Sequence, residues 1–322
     1  LCEPLAAPTL AIITAGRVLI SAHISVLLKK QEGQDMNKFA LIGFATLLSA
    51  VASAQIVYSN NAIPGDSFTN VGGSNQGQAV GASGWYYNNT RNSGVVGINT
   101  TYARSGNGSA LMQTTLGPGG ASSKADLEFL AGGVNVGGNF FANGTLGTLG
   151  NLSSVSYEWY RDSASTNSSV QHPALRILID ADGNLATTSD RGGLVYETVY
   201  NGGTVGVNTW TPGGITATTN VWNFGFGLGS EFGGFNRTLT DWINGFTVGS
   251  TTSNLSANSA VLGFSMGVGS GWGPFVGAVD NFGYQFVGGP AYTANFEAVP
   301  EPFSMLALAG GLAALARRRR AR

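Results

Sequence analysis

Leu175-Arg176-Ile177-Leu178-Ile179, Asp182-Gly183-Asn184 and Leu194-Val195-Tyr196-Glu197-Thr198-Val199-Tyr200 follow one another in a short stretch of this chain. The outer two runs are rich in β-branched and aromatic residues, which suit a pleated, half-buried surface, and the triplet between them is a turn signal. Similar runs recur at Tyr157-Glu158-Trp159-Tyr160 and from Val276 to Val287. Asn201-Gly202-Gly203 and Pro212-Gly213-Gly214 read as further turns. In the Tyr157 run, Tyr157 and Trp159 share one face while Glu158 and Tyr160 share the other. Nothing between residues 55 and 298 sustains a helical period. These signs predict a mainly β chain, a single β-sandwich of jelly-roll type over 55–298. Residues 60–125, with their closely spaced glycines, are expected to form long loops and edge strands.

Outward from this region the composition changes. Met36-Asn37-Lys38 opens a positive segment, Phe39 to Ala50 is apolar, and Ala52-Ser53-Ala54 has the small-x-small form of a cleavage site. Residues 36–54 are therefore expected to be a signal peptide cut after Ala54. Residues 1–35 begin with Leu1 and include an apolar stretch broken by Arg17 and His23. They are read as an upstream mis-start, with a genuine extra leader as the alternative. At the other end, Val299-Pro300-Glu301-Pro302 precedes an uncharged run from Phe303 to Ala316 and then Arg317-Arg318-Arg319-Arg320-Ala321-Arg322. The run would make a helix of roughly 21 Å, short of a ~30 Å hydrocarbon core. Arginine stems that reach the interface help such a helix span, and an arginine cluster favours the cytoplasmic side. Residues 303–316 are thus expected to be a transmembrane helix with 317–322 as its basic flank.

Between the two ends, residues 55–298 carry thirteen acidic and seven basic side chains. An acidic region of this kind lacks the basic face that nucleic acid requires. Cys2 is the only cysteine, so residues 55–298 hold no disulfide and must stand on a packed core.

The tail residues 299–322 closely resemble the PEP-CTERM sorting signal of bacterial surface proteins, with Pro300, Glu301 and Pro302 as its motif. That resemblance implies export by the secretion machinery, transient anchoring in the inner membrane and recognition by an exosortase. Delivery to the cell surface or to an exopolysaccharide matrix follows from it. A second resemblance rests on Glu158-Trp159-Tyr160-Arg161-Asp162, on Ala174 to Gly183, and on Gly267 to Trp272 followed by Val279-Asp280-Asn281-Phe282. These segments look like a recurring cargo of PEP-CTERM proteins, an extracellular β-sandwich similar to carbohydrate-binding modules. The implied role is a non-catalytic structural or adhesive domain, with a sugar-binding, Ca²⁺-assisted module as the alternative.

Catalytic patterns are few. Gly263-Phe264-Ser265-Met266-Gly267 has the form of a nucleophile elbow, but no histidine follows it, and the stretch Ala260 to Val268 reads as a strand. His172, the one histidine after residue 54, is placed in a polar loop. Asp126-Leu127-Glu128 is an i, i+2 acid pair that could flank a glycosidic bond, and it is read as a surface pair. The expectation is that the protein is not an enzyme. Asp180, Asp182 and Asn184 offer alternating oxygen ligands suited to Ca²⁺, with Asp190 as a further donor. An EF-hand is excluded by Leu185 and Arg191 at its glycine and glutamate positions. Trp272, flanked by Gly271 and Gly273, is expected to be exposed as a stacking platform for a sugar ring.

Overall fold

A computed structural model describes residues 53–115 and 122–301. The chain is mainly β, with two eight-stranded sheets facing each other. The first sheet contains β1 (Ser53–Ala62), β2 (Phe68–Asn70), β5 (Gly94–Asn99) and β6 (Ser109–Thr114), together with β11 (Leu152–Arg161), β14 (Trp210–Ile215), β19 (Phe275–Phe286) and β20 (Tyr292–Val299). The second contains β3 (Gln76–Ala79), β4 (Trp85–Arg91), β7 (Lys124–Leu130) and β10 (Gly147–Thr148), together with β12 (Ala174–Asp180), β13 (Arg191–Tyr196), β15 (Trp222–Gly225) and β18 (Ala260–Val268). Two small hairpins lie outside them: β8 (Val134–Val136) with β9 (Asn139–Phe141), and β16 (Thr247–Val248) with β17 (Thr251–Thr252). A six-residue helix, α1 (Leu239–Asn244), is the one α-helix among the described residues, and a Thr238–Asp241 capping box starts it.

Alternation explains the layering. On β12, Leu175, Ile177 and Ile179 enter the core while Arg176, Leu178 and Asp180 point the other way. Tyr157 and Trp159 on β11 do the same from the first sheet. Trp85 sits between the sheets, its ring centroid 5.1 Å from Phe282 and 4.9 Å from Phe296, both edge-on. Such rings bury roughly 150–250 Å² each and dominate the cohesion of a sandwich core. In the second sheet the order β15-β13-β12-β18-β7-β4-β3 makes β12, β18, β7 and β4 consecutive neighbours. Their side chains facing away from the core therefore form one continuous surface.

Several expectations need correction. Residues 60–125 hold β2 to β6, and β5 and β6 are buried interior strands, not loops. The strand expected over Leu194–Tyr200 stops at Tyr196, and Thr198–Asn201 winds into a 3₁₀ turn ended by left-handed Gly202. His172 causes the departure, because its Nε2 accepts the Thr198 N–H at 2.9 Å. Pro212-Gly213-Gly214 is not a turn but the middle of β14, paired with Glu158, Tyr157 and Ser156 of β11. β14 is an edge strand, where proline is tolerated, and a Cβ at Gly213 would stand 2.7 Å from the Tyr157 ring.

Residues 1–35, Ala52, Pro302 and the expected helix 303–316 with its 317–322 flank lie outside the described residues. Ala54 and Gln55 are the second and third residues of β1, so a cut between them would leave Gln55–Ala62 paired in parallel with β20. Pro300 and Glu301 follow directly on the last strand. Among the described residues no helix is long and apolar enough to cross a membrane.

Candidate functional site

β7 carries Ala125, Leu127 and Phe129 on its core side, so Lys124, Asp126 and Glu128 must share the opposite face. On a bare sheet that face would be solvated. Here it is roofed by the β8–β9 hairpin, whose turn uses Gly137 and Gly138 at φ +63° and +92°. Asn88 of β4 docks the roof: its side chain donates to the Phe140 carbonyl and accepts the Phe140 N–H, each at 2.9 Å. Phe140 also packs on Tyr86 with centroids 4.4 Å apart. Leu130, Ala142 and Leu262 form a second, small apolar cluster beneath it.

The consequence is that Asp126 and Glu128, expected on the surface, are buried. Asp126 is held at both oxygens. Arg176 Nη1 is 3.0 Å from Oδ1, and Lys124 Nζ is 2.7 Å from Oδ2. Glu128 Oε2 accepts from Asn88 Nδ2 at 2.6 Å. A bulge in β4 and a left-handed backbone at Asn89 (φ +49°) turn the Asn89 side chain toward the same spot. Its Nδ2 lies 3.1 Å from Asp126 Oδ2 and 2.9 Å from Glu128 Oε1, bridging the two carboxylates. Ser265 on β18 accepts from Arg176 at 3.2 Å.

These groups line a cavity of about 260 Å³. Its polar end is built from Asn89, Lys124, Asp126, Glu128, Arg176 and Ser265. Its other end is built from Leu178, Leu262, Phe140, Phe141 and Phe224. Phe141 stands 47% exposed at the rim. Burial opposes ionisation of Asp126, but the charges of Arg176 and Lys124 overcome it and hold the carboxyl below the usual range. Burial and then the charge of Asp126 push Glu128 upward. The site therefore favours ionisation of Asp126 and opposes that of Glu128.

The Gly-x-Ser-x-Gly pattern now has an architectural account. It lies along β18 as expected, and a Cβ at Gly267 would overlap Asp126 Oδ1. The glycine leaves room for the ion pair. His172 lies in the polar loop between β11 and β12, as expected, but is fully buried there, stacked on Trp159 at 4.5 Å, with burial pushing its imidazole down to about 4. Trp272 is half-buried, edge-on to Phe275 at 5.6 Å and packed against the core, not an exposed platform.

The hairpin between β12 and β13 brings together Asp180, Asp182 and Asp190, one carboxylate oxygen of each lying within 4.8 Å of the other two. Asn184 lies in the same turn. Its Oδ1 accepts the Ala186 N–H, and its own N–H donates to Asp182 Oδ1 at 2.7 Å. Arg191 Nε donates to Asp180 Oδ2 at 3.0 Å, while the same guanidinium reaches the Leu185 and Ala142 carbonyls.

Sequence reasoning singled out the acid pair but missed Arg176, Lys124, Asn88, Asn89 and Phe141. A charged i, i+2, i+4 face on β7 was legible. The roof over it was not, because the hydrogen bonds that dock it join residues 52 apart in the chain. No family model matches the chain, and no curated protein is detectably similar to it.

Proposed function

We propose that this is an exported surface or matrix protein whose β-sandwich, a jelly roll, adheres by binding a segment of polysaccharide in the roofed cleft on β4, β7, β18 and β12. The observation that carries this reading is the cleft itself: buried charged and amide groups at one end and phenylalanines at the other. A sugar presents hydroxyls along its edges and apolar C–H faces, and sites for it combine fixed polar partners with aromatic surface. Exosortase-dependent sorting through Pro300-Glu301-Pro302 supplies the address, and β20 ending at Val299 supports a tail that lies outside the sandwich.

Binding is favoured over hydrolysis by the state of Asp126. A glycosidase needs a second carboxylate free to attack or to activate water, and both Asp126 oxygens are engaged by cations. Glu128, whose ionisation is opposed by burial and by the charge of Asp126, is left as a hydrogen-bonding partner for a ligand hydroxyl. A polysaccharide and glycan array probed with the wild type and with Glu128→Gln and Phe141→Ala tests this. At least one surface polysaccharide should be retained by the wild type and lost or weakened about tenfold in each variant, with no new reducing ends. Retention equal in all three proteins would overturn the cleft as the site. Release of reducing ends that Glu128→Gln abolishes would replace binding with catalysis.

A further inference from the structure

The β12–β13 hairpin poses an electrostatic problem that its own residues do not solve. Three carboxylates converge, and Arg191 is the one cation bonded to them. Carboxylates outnumber cations at close range. Asp180 sharpens the difficulty: it is fully buried, Arg191 engages only its Oδ2, and its Oδ1 has no hydrogen-bond partner. Buried carboxylate oxygens are nearly always satisfied, so an orphan one inside an acidic cluster marks a missing positive group. Beside the cluster lies a hollow of about 200 Å³ lined by Asp182, Asp190, Thr187, Ser189 and Asn254, which adds hydroxyl and amide oxygens to the carboxylates.

We infer that this hairpin binds a hard divalent cation, Ca²⁺, through Asp180 Oδ1, Asp182 and Asp190. Oxygens within 4.8 Å of one another suit a shared ion at the 2.3–2.6 Å distances typical of Ca²⁺. The ligands are also held in place beforehand: Asp190 Oδ2 accepts the Asp182 N–H at 2.9 Å and Asp182 Oδ1 accepts the Asn184 N–H. Ca²⁺ is favoured over Mg²⁺ because an irregular set of six to eight oxygens suits the larger ion, whereas Mg²⁺ demands a regular octahedron and gives up water reluctantly. Arg191 lines the polysaccharide cleft as well, but none of the three aspartates does, so the ion site does not rest on that reading.

The test is calorimetric titration of the whole, chelator-stripped protein with CaCl₂, with MgCl₂ and NaCl as controls at matched ionic strength, alongside melting curves. Saturable binding of one ion is expected, with a dissociation constant of roughly 10⁻⁴–10⁻³ M, the range of extracellular modules. At a hundredfold excess over that constant the folded-to-unfolded ratio should rise about a hundredfold. Asp182→Asn and Asp190→Asn, at exposed and half-exposed positions, should each weaken binding at least tenfold while keeping the strand spectrum. Absence of saturable heat in the wild type, or a melting shift that NaCl or MgCl₂ reproduces, would overturn the site. So would undiminished affinity in both variants. If a variant fails to fold, the wild-type titration and chelator melt decide alone.

Discussion

The carboxylates of β7 and those of the β12–β13 hairpin sit on the same sheet and meet different fates. Asp126 is matched within the fold by Arg176 and Lys124, and Glu128, beside it, is driven toward neutrality. At the hairpin three aspartates share one arginine, and a buried oxygen is left without a donor. The first cluster balances its charge with strands and a roof. The second has only its own turn to draw on. A charge-balanced cluster next to a cavity is built to meet a ligand that is itself neutral, whereas a cluster in deficit is built for a cation.

The largest effect should come from unbalancing the first cluster. Arg176→Leu leaves Asp126 buried with Lys124 as its remaining cation, and losing one partner of a buried pair costs about 3–5 kcal/mol. Urea unfolding should show that loss, and adding Asp126→Leu should recover much of it, because the uncompensated charge is then gone. The cost should be the same with and without Ca²⁺. A Ca²⁺-dependent cost would show that the two clusters are one system.

The hairpin should respond in the opposite way. Its stabilisation by Ca²⁺ at a hundredfold excess should be about 2.7 kcal/mol by mass action, and Asp182→Asn should abolish it. Arg191→Leu should cost less in Ca²⁺ than in chelator, since the ion then supplies the charge that Arg191 withdraws. Equal costs in the two media would break the contrast.

Proton linkage separates the two acids of β7 by sign. Glu128 is raised in the folded state, so its contribution is full below the ordinary carboxylate value of about 4.3 and is lost as pH rises through its folded value. Asp126 is lowered, so its contribution is full above about 3.9 and is lost as pH falls through its folded value. Glu128→Gln removes only the first. Its stability relative to the wild type should therefore improve between about pH 4 and pH 7. Urea midpoints at the two ends of that range check it, and a constant difference would mean that the fold does not raise Glu128.

The same contrast governs what could be read from the chain alone. The strands over Leu175–Ile179 and Ala260–Val268 were legible because apolar periodicity is local, and so was the opposition of Tyr157 and Trp159 to Glu158 and Tyr160. The end of β13 was not, because it is set by a hydrogen bond from Thr198 to His172, 26 residues away. Pro212-Gly213-Gly214 misled because turn residues also suit an edge strand pressed against a tyrosine ring. The hairpin aspartates were visible in sequence, but only the folded turn shows Asp190 brought beside Asp180 and Asp182, and the Asn184 Oδ1 bonded to the Ala186 N–H. The roof over Asp126 and Glu128 left no local trace.

The smallest effect on stability, and the sharpest for function, belongs to the aromatics. Phe141 is an exposed rim residue, so Phe141→Ala should change stability by no more than about 0.5 kcal/mol. Trp272 is half-buried against Phe275 and the core, so Trp272→Ala should destabilise measurably more. Polysaccharide affinity should invert that order. Phe141→Ala removes ring surface at the mouth of the cleft and should weaken binding about tenfold, near 1.4 kcal/mol, whereas Trp272→Ala should leave affinity unchanged in whatever fraction is folded. Paired melting and affinity electrophoresis would read both quantities on the same samples. If Trp272→Ala lost binding while Phe141→Ala kept it, the ligand surface would have to be sought near Trp272, and the roofed cleft would be a structural device that only keeps the β8–β9 hairpin in place.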